Sequence, residues 1–220
     1  HWIAISEATK SDLVWLGGIA PTRVTAIPLG CPPAFAAPAR ESAITAARTT
    51  LGLDGPYVLF IGRLQPRKNL ARLFEAFSRV ATDMPHRLVV AGGPGWRVDE
   101  IYRAHAAAPA RARIQLAGYV DEALLPGLLT GADALTLPSE GEGFGLPLLQ
   151  AMGCGTPALI ADSGALPEVA GGAALAVPPH DVGAMADGLR RLATDRALRT
   201  KLRDGGRARA ARFSWAASAT

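Results

Sequence analysis

The sequence predicts a doubly wound α/β domain, a parallel sheet covered by helices on both faces. Three observations lead there. From Pro56 onward short apolar runs alternate with segments of helical period. The runs are apolar throughout instead of alternating with polar residues, as strands buried on both faces must be. Each run is followed by a helix long enough to carry the chain back to the start of the next strand, and only a parallel pairing needs such a crossover.

Taken in order, the first 55 residues are the less regular part. A helix is expected at Glu7 to Leu16 behind Ser6, whose hydroxyl can cap it. RVTAIPLG reads as a strand, Cys31 to Ala39 (CPPAFAAPA) as a proline-rich connector, and Arg40 to Leu51 as an alanine-rich helix. The regular part then runs YVLFIG and NLARLFEAFSRVA, RLVVAGG and RVDEIYRAHAAA, RIQLAG and DEALLPGLLTGA. It continues with DALTLPS and a helix from near Leu146, PALIADS and a helical turn LPEVAG, then ALAV and two closing helices between Asp181 and Ala211. No internal repeat or low-complexity linker interrupts it.

With 220 residues, 49% hydrophobic and 19% charged, the chain has material for one large packed domain and is too apolar for disorder. The net charge of +4 comes mostly from arginine in an alanine-rich chain, a compositional bias that does not call for a nucleic-acid partner. Cys31 and Cys154 match no metal-binding or redox spacing and are expected as core fillers in a reduced, cytoplasmic setting. The greasiest stretch, Leu146 to Ala161, is broken by Gln150, glycines, Thr156 and Pro157, and HWIAISEATK has no signal-peptide pattern, so neither a membrane span nor a leader is expected.

In doubly wound domains ligands bind beyond the carboxyl ends of the strands, which directs attention to the loops FIGRLQPRKN, VVAGGPGWR, LAGYVDE, TLPSEGEGFG and IADSG. In the first, Gly62 ends a strand, Pro66 marks a turn and Asn69 is expected to cap the next helix, so Arg63 and Lys68 lie near a helix N-terminus. Two cations and a positive dipole end suit a diphosphate, although solvated surface charges would read the same way, as Arg67 beside them does. In SEGEGFGLPLLQ the glycines 141, 143 and 145 allow close approach of a ligand to the backbone, and Pro147 suits a first helical turn with free amides. Glu142 could accept hydrogen bonds from two sugar hydroxyls, or act as an N-cap acid; Gln150 could hold a diol, or be an ordinary amide on the helix surface. Trp96 is read as packing over its loop and not as stacking on a base.

Other chemistries lack their residues. The glycines at 93 and 95, and at 143 and 145, open a G-x-G-x-x-G pattern that Val98 and Leu148 break. There is no G-x-x-x-x-G-K-[ST] loop, no G-x-S-x-G elbow and no D-x-D, and the four histidines are too scattered for a metal site. None of Lys10, Lys68 and Lys201 sits in a setting that suggests a pyridoxal aldimine.

The ordered set GRLQPRKN, LVVAGGPGW, LAGYVDEALLPGLLTGADALTLPSEGEGFGLPLLQAMGCGTPAL and FSW resembles the donor-binding, C-terminal half of retaining GT-B glycosyltransferases of family 4, a Rossmann-like domain. The likeness runs from about Ile3 to Trp215. It implies that Arg63 and Lys68 bind the donor diphosphate and that Glu142 is the first acid of the E-x7-E motif, touching the donor sugar. It also implies that Gly143, Phe144 and Gly145 offer amides to sugar hydroxyls, that Leu146 starts the helix facing phosphate, that Tyr119 and Val120 hold the nucleobase and that Gly92 and Gly93 line the same cleft. The donor would be a GDP- or UDP-linked sugar, used without an obligatory metal, and AGGPGWRVDEIY is similar to mannosyltransferases of polysaccharide assembly that use GDP-mannose.

Two departures qualify the likeness. The second motif acid, which in the family binds the ribose, falls on Gln150, so donor affinity is expected to be weakened and not abolished. The chain opens on HWIAISEATKSDL, similar to the end of the family's first domain, and closes after RFSWAASAT. The expectation is therefore residues 1–35 as an interdomain remnant with a first strand and helix, and 36–220 as the nucleotide-sugar-binding domain. The acceptor domain would be missing, and with it the contacts to an acceptor glycan or lipid-linked glycan and any peripheral attachment at the inner membrane face. A module that binds a nucleotide sugar without turning it over is the competing expectation.

Overall fold

The computed structural model of the chain describes residues 1–219. Six parallel strands form the main sheet in the order β5-β4-β3-β6-β7-β8. They are β3 (Tyr57–Ile61), β4 (Arg87–Ala91), β5 (Ile114–Gly118), β6 (Ala134–Leu137), β7 (Ala158–Ala161) and β8 (Leu175–Val177). Both β6 and β7 are buried along their whole length, as strands with helices on both faces are. One set of helices packs as α4 (Val98–Ala107), α3 (Leu70–Val80) and α8 (Val182–Thr194); the other links α2 (Glu41–Leu51), α5 (Leu125–Thr130), α6 (Leu146–Cys154) and α9 (Arg196–Ala210).

The helices follow their local chemistry. Leu70, Leu73, Phe74, Phe77 and Val80 place one apolar stripe of α3 in the core. Asp181 and Asp195 accept from the amides of Ala184 and Leu198 and so start α8 and α9. Gly52 and Gly155, in the left-handed conformation, end α2 and α6. Cys154 is buried and Cys31 partly so, both as free thiols. Burial pushes the Cys154 thiol up to about 11, which leaves it protonated and inert at neutral pH.

The first segment holds more structure than the sequence reading gave it. Trp2–Ala4 forms β1, which pairs in parallel with β2 (Val24–Ala26) in a separate two-stranded sheet. Between them lies α1 (Glu7–Trp15), capped by the Ser6 hydroxyl accepting from Thr9 N–H as expected. The carboxylate of Glu168, on α7 (Leu166–Ala170), accepts from the amides of Glu7 and Ala8, tying α1 to the main domain. Trp15 and Leu16 are 84% and 85% exposed, and Trp2 and Ile3 on β1 are open as well, so this segment leaves four large apolar side chains uncovered.

Candidate functional site

The strand order reverses between β3 and β6, each of which sends its neighbours to opposite sides, and the crevice at that point is where doubly wound sheets bind ligands. The loops after β3 and β4 approach so closely there that a Cβ on Gly92 would stand 1.9 Å from the carbonyl oxygen of Gly62. With φ at +157°, position 92 requires glycine on both counts. The cleft that results has a volume of about 470 Å³ and is lined by Gly62, Arg63, Gly92, Gly93, Tyr119 and Val120 among others. All six were expected at the site, although Tyr119 is 81% exposed and forms the rim, whereas Val120 is buried in the floor.

Beside this cleft lies a knot of charge. Lys68 Nζ donates to Glu142 Oε1, which also accepts from Ser139 Oγ at 2.7 Å. Arg67 Nη1 donates to Glu142 Oε2 at 3.0 Å and to the Gly141 carbonyl at 2.7 Å. Both charged groups of the central pair are nearly buried, the side chains being 9% and 10% exposed. The stem of Lys68 lies against the cleft backbone, its Cε 3.5 Å from where a Cβ on Gly62 would be. Burial alone would raise the Glu142 carboxyl, but the hydrogen bond and charge of Lys68, helped by Ser139 and Arg67, outweigh it and hold the group below its ordinary range.

That depression has a sign. A carboxylate depressed on folding adds stability that is present above its unfolded value near 4.5 and is lost as pH falls through the folded value. Urea unfolding of the chain followed below pH 5 is therefore expected to show stability declining, with a smaller decline in Glu142→Gln once its lower baseline is subtracted. An identical slope in that variant would show that Glu142 takes no part.

Next to the knot, residues 143–146 form an anion-ready backbone. Gly145 sits at φ +88° as the residue before α6, and Pro147 occupies its first turn. Among the described residues the amides of Gly143, Phe144, Gly145 and Leu146 donate to no acceptor, so four consecutive donors stand at a helix N-terminus without partners. The Phe144 side chain anchors this turn in the core, edge-on to Phe213. Gln150, one turn on, is 7% exposed and its amide makes no hydrogen bond among the described residues. The reading of Gln150 as a surface amide therefore falls, as does that of Glu142 as an N-cap acid, since no side chain caps α6.

Several expectations need correction. Arg63 and Lys68, expected side by side, stand in different settings: Arg63 is exposed on the cleft wall, while Lys68 is buried against Glu142 because that carboxylate needs a charge of opposite sign once desolvated. Asn69 does not cap α3. It lies in the left-handed region, and its Nδ2 donates instead to the carbonyls of Pro138 at 3.0 Å and Pro179 at 2.6 Å, binding the ends of β6 and β8 to the loop that carries Lys68. Arg67 is no bystander on the surface, as its contacts with Glu142 show. Trp96 is not packed over its loop: it is 55% exposed, with the Arg97 guanidinium 5.9 Å from its ring.

Three contributors escaped sequence reasoning altogether. Ser139 fixes Glu142, and the hydroxyls of Ser6 and Thr9 donate to the Gly143 carbonyl at 2.7 and 2.9 Å. Only Ser139 gave a signal, its place in the glycine-rich stretch; Ser6 and Thr9 act across more than 130 positions.

The family model described as "Glycosyl transferases group 1" matches residues 44–209. An O-antigen chain mannosyltransferase B of Escherichia coli is 32% identical, over 97% of this chain and 56% of that protein. A D-inositol 3-phosphate glycosyltransferase of Kineococcus radiotolerans is 31% identical, over 99% of this chain and 54% of that protein. The chain thus spans about half the length of the curated relatives it matches. Among solved structures, a sucrose-phosphate synthase from Thermosynechococcus elongatus superposes with a TM-score of 0.82 at 29% identity, covering 99% of this chain and 55% of that one.

Proposed function

Because the chain belongs to the group 1 glycosyl transferases, we propose that it is the nucleotide-sugar-binding half of a retaining enzyme that moves a hexose from a nucleoside diphosphate to an acceptor hydroxyl. The observation that carries this reading is the row of unpartnered amides at residues 143–146 beside the Lys68–Glu142 pair. A diphosphate against those amides, Arg63 and the Lys68 ammonium has its growing negative charge met by fixed donors as the sugar bond breaks. Glu142, kept ionised by its neighbours, accepts hydrogen bonds from sugar hydroxyls. The nucleoside lies in the cleft bounded by Tyr119, Val120, Gly92 and Gly93, and Gln150 meets the ribose diol.

Mannose from GDP-mannose is the favoured donor, on the likeness of AGGPGWRVDEIY and the mannosyltransferase among the relatives, with UDP-sugars as the alternative. The acceptor, a glycan or lipid-linked glycan, is assigned to a second domain. The open apolar side chains of Trp2 and Ile3 on an isolated pair of strands, and of Trp15 and Leu16 at the end of α1, support such a packing partner for the first segment. The cytoplasm is the compartment that two free thiols fit. Binding without turnover remains the second reading, favoured by the uncharged amide at position 150.

Calorimetric titration of the chain with GDP, UDP and ADP, then with their sugars, tests the proposal. One base is expected to bind, its sugar conjugate more tightly than the bare diphosphate. Gln150→Glu is expected to tighten that binding by about 1 kcal/mol, the worth of giving one hydrogen bond a charge. Binding by none of the three would overturn the reading; a weaker donor complex in Gln150→Glu would mean that the amide is matched to its partner.

A further inference from the structure

The positive charge of the chain is concentrated in one place. Residues 182–212, which hold α8 and α9, carry nine arginines and lysines against three aspartates, a surplus of six, while the whole chain has a net charge of +4, so the remainder is net negative by two. Most of the surplus lies on α9, where Arg196, Arg199, Lys201, Arg203, Arg207 and Arg209 stand against Asp204 alone. Leu202, Gly206 and Ala210 turn inward, and α9 packs on α6. Arg196, Arg203 and Arg207 recur at spacings of seven and four, which puts them in one row on the outer flank of the helix. The stems of Arg203 and Arg207 cross Gly155, the residue that ends α6, at 3.4 and 3.3 Å from its would-be Cβ.

Few of these charges are neutralised. Among the described residues Arg196 and Arg207 have no hydrogen-bond or ion-pair partner, and Arg203 has only its neighbour Asp204 at 3.1 Å. Arg196, Arg199 and Arg203 also wall a hollow of about 270 Å³ together with the hydroxyl-bearing Thr130 and Thr200. The acid in that hollow, Asp133, is engaged by His86 at 3.1 Å. The hollow has room for a phosphate, with the Arg196 guanidinium and the Thr200 hydroxyl free to donate to it among the described residues, while Arg199 donates to the carbonyls of Leu192 and Ala193. It lies by the loops that precede β6 and β7, at the opposite ends of the strands from the nucleotide cleft.

We propose that the arginine row of α9 is a docking surface for an anionic lipid bilayer, with a headgroup phosphate entering the hollow between α9 and Thr130. A bilayer suits the row better than a nucleic acid does. The charges stand on the exposed flank of a single helix, and no aromatic side chain lies among residues 182–212 to stack on bases. The inference does not depend on the nucleotide reading, and either can fail alone.

Co-sedimentation of the chain with vesicles tests it. Vesicles of phosphatidylcholine with about a third phosphatidylglycerol are expected to bind the chain and pure phosphatidylcholine vesicles to leave it in solution, with binding lost as salt is raised. Replacing Arg196, Arg203 and Arg207 by glutamine is expected to lower partitioning about a hundredfold, at roughly fivefold per basic residue removed, while replacing them by lysine should preserve it. All three are exposed, so the glutamine variant is expected to keep the parent's circular dichroism and thermal midpoint. Binding to neutral vesicles, or unchanged partitioning in the glutamine variant, overturns the proposal. So does competition by millimolar inorganic phosphate, which would mark a small-anion site, or equal arginine-dependent affinity for duplex DNA, which would mark a nucleic-acid face.

Discussion

Lys68→Ala is expected to lose both stability and ligand. The substitution leaves Glu142 as a nearly buried carboxylate without its closest cation, and breaking such a pair costs about 3 kcal/mol. Arg67 and Ser139 still reach the carboxylate, which keeps the cost near that figure. Nucleoside diphosphate affinity should fall about a hundredfold, the scale of one charge-assisted contact. Arg63→Ala gives the contrast. Arg63 is exposed on the cleft wall, so its removal should weaken nucleotide binding by roughly tenfold and leave the urea midpoint where it was. Denaturation and calorimetry on the two variants separate the roles. Full affinity in Lys68→Ala at a temperature where it is folded would remove the lysine from the phosphate site.

Gly92→Ala should be the most damaging change to the cleft that adds only one methyl group. The new Cβ would lie 1.9 Å from the Gly62 oxygen, at a φ that side chains rarely adopt, so the β3 and β4 loops would be forced apart. Backbone strain and collision together are expected to cost about 3 kcal/mol and to abolish nucleotide binding. Gly93→Ala is the control, since nothing lies within 4 Å of its Cβ position and its φ is not in the strained range. Its stability should match the parent's within about 0.5 kcal/mol. Equal losses in the two variants would mean that the close approach at Gly92 is not what shapes the cleft.

The doubly wound sheet was legible because runs such as YVLFIG are apolar on both faces and alternate with helices, the combination that a covered parallel sheet produces. The glycine turns were legible because glycine at a strand end reports backbone geometry directly. Pairing was not legible. Nothing in GRLQPRKN says that Lys68 and not Arg63 turns inward, because that choice is made by a carboxylate 74 positions away. Asn69 misled for a related reason: its place before a helix matched a cap, yet the two carbonyls waiting at Pro138 and Pro179 outbid the helix amides. The same holds for the arginine row, whose local concentration is invisible in a net charge of +4.

The hydroxyl clasp on Gly143 bears on where the gene can be trimmed. A piece cut to the family match would begin at residue 44 and would discard Ser6 and Thr9, leaving the Gly143 carbonyl to water and the Glu168 carboxylate without the amides it holds. The turn with the four unpartnered N–H groups would then lose the side-chain clasp that holds its Gly143 carbonyl. The smallest fragment worth expressing for ligand work thus starts ahead of Ser6, some forty residues upstream of the boundary that sequence homology alone would choose.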